Sequence, residues 1–415
     1  MSRNTLNITA SNIYDSDITD SITHNNLLNR LLTVDQKKVD SNLILSDVRL
    51  LNATLQQSTG IKKIGIITSV THRILVSILS AKDNNFDYIL IRPDSNIEEI
   101  RRVIDVLSID TFVCDKDHIQ IMNQLQWEHN KFDLYICLDE ENIYKVEDNH
   151  RREMMNPILW EYISRKGKNP IEASGWYSSF TGNVLTNEDI NEYLQNTYSR
   201  LASYIDINVD VLEVGCASGL TLSKIAPLVK TYSAIDISPS MVKKSKELAS
   251  LKGINNVSIK KLAAHEIHKL DKTNFNIIIL NSVAQYFPGY NYFRDVLFKC
   301  INKIDVSGIV FIGDVMNLAL KDKLISDLLA FRNVNKSNNF TKVDFSKELF
   351  YSKEFFYDIL IENPNIEDIN IFDRDFRVNN ELNLYRYDVV VKVNKSSQKR
   401  QRKKTKKQVG IKLSF

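Results

Sequence analysis

The stretch VLEVGCASG, residues 211–219, constrains the fold of this chain more than any other segment. An apolar run with one acidic residue, Glu213, gives way to a glycine-containing turn and then to LTLSKIAPLV, an amphipathic segment that starts a helix. Strand, glycine turn and helix in that order build the crossover unit that holds nucleotides in parallel α/β sheets. Gly215 and Gly219 permit backbone torsions and a close ligand approach that a side chain would block. Cys216 and Ala217 complete the turn, and Ala217 stands where the usual dinucleotide fingerprint carries a glycine. The segments downstream therefore decide what the turn is for.

A second apolar run, TYSAID, ends in Asp236, seventeen residues beyond Gly219, and is followed by Ile237. A carboxylate at that place accepts both hydroxyls of a ribose in dinucleotide-binding folds. A helix-like stretch, PSMVKKSKELASLKG, leads to a third strand, NVSIKKL, which runs into Ala264 and His265. A fourth strand, FNIIILNS, delivers Asn281 and Ser282, and a fifth, GIVFIGDV, follows the helix NYFRDVLFKCINKI. This series, with Glu213 before the turn and Asp236 after the second strand, resembles a class I S-adenosylmethionine-dependent methyltransferase. The resemblance implies an α/β fold with a Rossmann-like, seven-stranded sheet. IEDINIFDR and LYRYDVVVKV would close that sheet, the latter antiparallel. Residues 318–362, with Phe340, Phe345, Phe350, Tyr351, Phe355 and Phe356, would form an inserted helical cap.

At 415 residues the chain is long enough for two domains. The expected divisions are an irregular N-terminus (1–40) with an apolar patch at NLLNRLL and room for one helix, a small α/β domain (41–148), the methyltransferase-like domain (149–393) and a basic tail (394–415). Hydrophobic content of 43% and charged content of 25% are ordinary for a globular protein. Four scattered cysteines argue against a disulfide framework or zinc site and fit a reducing cytoplasm; no signal core or membrane span is legible. No metal site is expected. The net charge of +3 conceals an asymmetry, since Lys395, Lys399, Arg400, Arg402, Lys403, Lys404, Lys406 and Lys407 load the tail. Without them the body is mildly acidic, which gives no reason to expect a nucleic-acid surface. The tail reads as a solvated terminus or as a dock for an anionic partner.

From Ser41 to about Glu147 helix-like and strand-like segments alternate: SNLILSDVRLLNATLQQS, KKIGIITS, HRILVSILSAKD, FDYILIRP, NIEEIRRVIDVLS, DTFVCD and FDLYICLD. That order resembles the first part of an acyl- or aminoacyl-adenylating domain. It has no Ser/Thr/Gly-rich phosphate loop with a lysine, so a remnant of this kind is not expected to bind ATP in the usual way. An unrelated small docking domain reads equally well.

The segments EASGWYSSFTG, VLEVGCASGLT, LAAHEI, NSVAQYFPGYNYF, IGDVMN and NELNLYRYDVVV resemble, in order and spacing, the methyltransferase domain embedded in nonribosomal peptide synthetases. Asn383 and Leu384 depart from that family's closing motif. By resemblance, Glu213, Gly215, Ala217 and Gly219 would lie at the methionine part of the cofactor and Asp236 at the ribose, with Cys216 and Ile237 also in the cofactor site. Ala264 and His265 would flank the adenine, and Asn281 and Ser282 would stand at the end of the fourth strand. Asn281 also reads as a helix cap, and His265 as a structural group or a general base. Trp160, Trp176, Tyr177 and Phe180 would cover the substrate or cofactor, with Gln285, Tyr286, Asn380 and Glu381 facing the substrate. Tyr286, Glu381 and Asn281 are the catalytic candidates, and Glu381 also reads as a turn carboxylate. The function implied is N-methylation of an aminoacyl or peptidyl group, free or carrier-bound, with a peptide synthetase as partner in trans. A free-standing small-molecule N- or O-methyltransferase and a silent cofactor-binding scaffold are the alternatives.

Overall fold

A computed structural model describes residues 5–9, 13, 22–23, 31–58, 60–129, 132, 134–138, 143–147, 157–335, 340–374 and 380–396. The chain divides into two compact units, Met1–Arg151 and Arg152–Phe415.

The first unit opens with β1 (Thr5–Ile8) pairing in parallel with β2 (Leu31–Val34), which turns back into β3 (Lys37–Lys38). The end of the apolar patch NLLNRLL is thus a strand. Asp35 and Gln36 take positive φ of 46° and 64°, the two-residue turn whose twist matches a hairpin. Five more strands follow: β4 (Lys63–Ile67), β5 (Asp87–Leu90), β6 (Thr111–Cys114), β7 (Leu134–Leu138) and β8 (Ile143–Glu147). They form one sheet in the order β5-β4-β6-β7-β8, parallel except for β8. The helix Ile97–Leu107 shows how local the instructions are. Asn96 and Glu99 close a capping box, Ile100 and Ile104 face inward, and Ser108 ends it in the left-handed region.

The second unit is built on β9 (Asp210–Val214), β10 (Thr231–Asp236), β11 (Val257–Lys261), β12 (Phe275–Asn281), β13 (Ile304–Met316), β14 (Ile366–Asp373) and β15 (Arg386–Asn394). Their order is β11-β10-β9-β12-β13-β15-β14, with β15 antiparallel to both neighbours. This is the class I methyltransferase arrangement, with the reversal of strand order between β9 and β12 that opens a crevice at the strand ends. Val211, Leu212, Ile277, Ile279, Leu280, Val310 and Phe311 are buried, as expected where a parallel sheet is covered on both faces.

One irregularity sets up the site. Ile312 pairs with Val389 but Val315 pairs with Tyr387, so β13 carries one residue more than β15 opposite Asp388. The bulge puts Asp314 at φ 63° and points its backbone N–H at the Asp388 carboxylate, 2.9 Å away.

The 318–362 stretch, expected as one cap, does two jobs. Phe340 and Phe345 lie over the strand ends and line the cavity described below. Helix Lys353–Glu362 instead packs on β14, and Tyr351, Phe355 and Phe356 stack with Phe293 of helix Tyr290–Lys303. Burying four large rings against the sheet outweighs leaving them in a cap exposed to water. Of the tail's basic residues, only Lys395 falls within the described residues; it bonds the Asn302 carbonyl at 3.1 Å, near the end of that helix. The other basic residues of the tail lie outside the described residues.

Candidate active site

The carboxyl ends of β9, β10, β12 and β13 open onto a cavity of about 430 Å³, within the range that holds a cofactor-sized molecule. Its floor is the 215–219 turn. Gly215 has φ 78° and Gly219 φ 90°. A Cβ at Gly215 would come within 2.6 Å of Val283, and one at Gly219 within 3.2 Å of the Ser245 backbone. The turn therefore needs glycine for both torsion and space. Ala217 reaches φ 45° without being glycine. Its N–H donates to the Asp236 Oδ2 at 2.9 Å, while Ser238 N–H donates to Oδ1 at 2.9 Å. Asp236 is 8% exposed, and burial raises its pKa. Each of its oxygens keeps a further lone pair for a hydroxyl donor.

Glu213 is 2% exposed and accepts the Tyr232 hydroxyl at 2.9 Å. Burial pushes its pKa from the ordinary 4.5 up to about 8, against the opposing hydrogen bonds of Tyr232 and Thr221. Between about pH 4.5 and pH 8 the unfolded chain has released this proton and the folded chain still holds it, so Glu213 makes stability fall as pH rises through that window. Glu213→Gln is expected to remove this contribution. Relative to wild type, its urea midpoint should rise between pH 5 and pH 8.5, by an amount worth up to roughly 4 kcal/mol. A constant difference between the two proteins across that range would place an ionised Glu213 in the apo fold.

Ile237, Met241, Leu262, Ala264 and Tyr292 give the β10–β11 side of the cavity an apolar slot. His265 lies outside the lining; its Nδ1 pairs with the Tyr292 hydroxyl at 3.0 Å. At the end of β12, Asn281 and Ser282 both line the cavity. Asn281 is 6% exposed and donates to Thr197 Oγ1 at 3.0 Å. Ser282, at φ 57°, donates to Asp314 Oδ2 at 2.7 Å and so accepts from the Tyr193 hydroxyl at 2.8 Å.

The β13–β15 side is ionic. Asp314 Oδ1 takes Arg374 Nη1 at 2.8 Å, and Oδ2 takes Arg386 Nη1 as well as Ser282. Both its oxygens are thus engaged by cations or a hydroxyl. Glu381 is 6% exposed; one oxygen accepts Ser179 N–H at 2.6 Å, and the other has no hydrogen bond among the described residues. Glu348 pairs with Lys342 on the same wall. Tyr286 stands against Trp160 edge-on at 4.9 Å, and burial pushes its pKa up to about 12.

Trp176, Tyr177, Gln285 and Cys216 also line the cavity. Phe180 and Asn380 do not. Phe180 packs on Phe331 at 5.5 Å, inside the cover rather than beneath it. Asn380 caps helix Glu381–Leu384 and donates to Asp189 at 2.8 Å. Trp160 lines the cavity too, whereas residues that sequence reasoning missed are Tyr193, Asp314, Glu348 and Arg386, all on the lining. Of these, Arg386 could have been marked from its place in the closing segment NELNLYRYDVVV.

Residues 205–354 match the family described as Methyltransferase domain. The chain is 31% identical over 237 residues to a probable non-canonical nonribosomal peptide synthetase, CymA, of Salinispora arenicola, covering 56% of this chain and 3% of that protein. It is 30% identical over 234 residues to chondramide synthase cmdD of Chondromyces crocatus, covering 53% of this chain and 6% of that protein. The chain thus spans only a small fraction of the length of these relatives. Among solved structures, the magnesium protoporphyrin IX methyltransferase ChlM of Synechocystis PCC 6803, with bound SAH, is similar at a TM-score of 0.37 and 13% identity, covering 52% of this chain and 91% of that one. Strands β9 to β13, which carry the glycine turn, Asp236 and Asn281, all lie within the matched 205–354 region, and the chain carries a methyltransferase domain of the S-adenosylmethionine-dependent class, similar at about 30% identity to peptide synthetases.

Proposed function

We propose that this enzyme methylates the amino group of an aminoacyl or peptidyl substrate in nonribosomal-peptide-type biosynthesis. The observation that carries this reading is the second carboxylate oxygen of Glu381, which has no hydrogen bond among the described residues and belongs to a residue that lines the cavity. An amine must shed a proton to attack, and a desolvated pocket with a fixed carboxylate favours that loss. The peptide-synthetase relatives support the same substrate class.

In this reading the glycine turn and Glu213 hold the methionine part of S-adenosylmethionine, Asp236 its ribose, and Ile237, Leu262 and Ala264 its adenine. Bound there, the cofactor supplies an electrophilic methyl group on a sulfonium. The protein's own work is to align the acceptor, exclude water and take the proton. Glu381 takes the proton, Tyr286 hydrogen-bonds the acceptor, and Trp160, Trp176 and Tyr177 wall off water. Asn281 and Gln285 shape the boundary between donor and acceptor. The partner is a peptide synthetase in trans, and the N-terminal unit, with its likeness to the start of an adenylating domain, is the element we assign to that contact. Four free, buried cysteines suit a cytoplasmic setting.

Labelled methyl transfer to aminoacyl thioesters and free amino acids tests the reading. Glu381→Gln keeps an acceptor for Ser179 N–H but cannot take a proton, so turnover should fall about 100-fold with SAH affinity nearly intact. Tyr286→Phe should slow turnover about tenfold through one lost hydrogen bond. Undiminished turnover in Glu381→Gln would remove it as the base, and equal loss of SAH binding in both variants would make them supports of the fold.

A further inference from the structure

Arg386 begins β15, opposite Met316 at the end of β13, and its guanidinium lines the cavity with the side chain 14% exposed. Among the described residues it makes one hydrogen bond, from Nη1 to Asp314. Asp314 is itself immobilised by Arg374 and Ser282. One edge of the planar fork is therefore fixed, and its other N–H groups have no hydrogen bond among the described residues and stand at the wall of the cavity. Donors in that position gain most from an oxygen supplied by a ligand.

Position separates the acceptor from the cofactor as the source of that oxygen. Along the sheet, β15 is three strands from β9, roughly 14 Å at the usual strand spacing. The glycine turn follows β9, so Arg386 lies at the opposite end of the cavity. Charge narrows the ligand further. Asp314, Glu348 and Glu381 share this wall with Arg386 and Lys342. Three carboxylates disfavour a phosphate or another multiply charged anion. They tolerate a neutral carbonyl, or a carboxylate offset by the ligand's own amine.

We infer that Arg386 anchors the acceptor by its carbonyl oxygen, holding an α-amino carbonyl compound so that the amine three bonds away meets Glu381. The inference rests on the aminoacyl reading above and adds the group that the enzyme selects. A thioester carbonyl and a free carboxylate offer the same chemistry to the fork. Lysine in place of Arg386 would keep the charge beside Asp314 but lose the planar donor set.

The test uses the full chain with labelled S-adenosylmethionine and three forms of each proteinogenic amino acid. These are the N-acetylcysteamine thioester, the free acid and the corresponding amine without a carbonyl. Wild type should prefer a carbonyl-bearing form to the bare amine by at least tenfold in kcat/KM. Arg386→Gln should raise KM for that form at least tenfold and bring the preference close to one, with SAH affinity within twofold of wild type. Arg386→Lys should fall between the two. Transfer to the thioester alone would identify a carrier-bound acceptor, and transfer to the acid alone a free one; either supports the anchor. An unchanged KM and preference in Arg386→Gln would overturn it, as would loss of SAH binding in both variants. If wild type methylates no member of the panel, the aminoacyl reading itself fails, an outcome distinct from failure of the anchor alone.

Discussion

Replacing Arg374 with leucine is expected to lower the stability of the C-terminal unit by about 3–5 kcal/mol, the usual cost of stranding a buried charge. The Arg374 side chain is fully buried between Asp314 and Asp388, each 2.8 Å away and each itself fully buried. Its Nη1 also donates to the Leu382 carbonyl at 3.2 Å, which ties the closing helix to β13 and β15. Without it, Asp388 keeps Asn196 at 2.7 Å and a long contact to Arg200 at 3.8 Å, while Asp314 keeps Arg386. Two carboxylates would then share one strong cation in a medium that solvates neither. A second substitution, Asp388→Asn, should recover part of the loss by removing one of the stranded charges. Urea unfolding measures both variants. A loss below about 1 kcal/mol, the scale of an exposed pair, would mean that water reaches these groups.

Asp236→Ala is expected to weaken S-adenosylmethionine and SAH alike by at least about 100-fold. Two ribose hydroxyls on one carboxylate contribute roughly 1.5–3 kcal/mol each, and each 1.4 kcal/mol is tenfold in affinity. The structure adds a second route to the same loss, because this carboxylate also receives the backbone N–H groups of Ala217 and Ser238. Removing it frees the turn that Gly215 and Gly219 shape. Thermal unfolding of the apo variant separates the routes: an unchanged Tm assigns the affinity loss to the ribose, and a lowered Tm assigns part of it to the turn. Calorimetry showing wild-type affinity for SAH would take Asp236 out of the cofactor site.

The glycine-turn side of the cavity was legible in the sequence because its groups follow one another along the chain. Glu213, Gly215, Ala217 and Gly219 sit within one strand–turn–helix, and Asp236 ends the next strand, so local periodicity alone brings them to one end of the sheet. Residues chosen for being adjacent to such positions fared differently. His265 follows Ala264 in a short 3₁₀ helix, where one residue rotates the side chain by about 120°, enough to turn it from the cavity to Tyr292. Asn380 precedes Glu381, but its side chain is taken by the exposed N–H groups of the helix that Glu381 begins.

The β13–β15 side of the cavity was decided by the tertiary structure. Asp314, Arg374, Arg386 and Asp388 each read as ordinary strand or loop charges, and Tyr193 as one aromatic on an amphipathic helix. Their meeting depends on the antiparallel insertion of β15 and on the extra residue in β13 that turns Asp314 toward two arginines. Short-range patterns of hydrophobicity, capping and turns dictate strands, helices and the glycine loop, since those are set by interactions a few residues apart. Pairing among charges sixty or more residues apart depends on strand register and burial, which arise only once the sheet has closed.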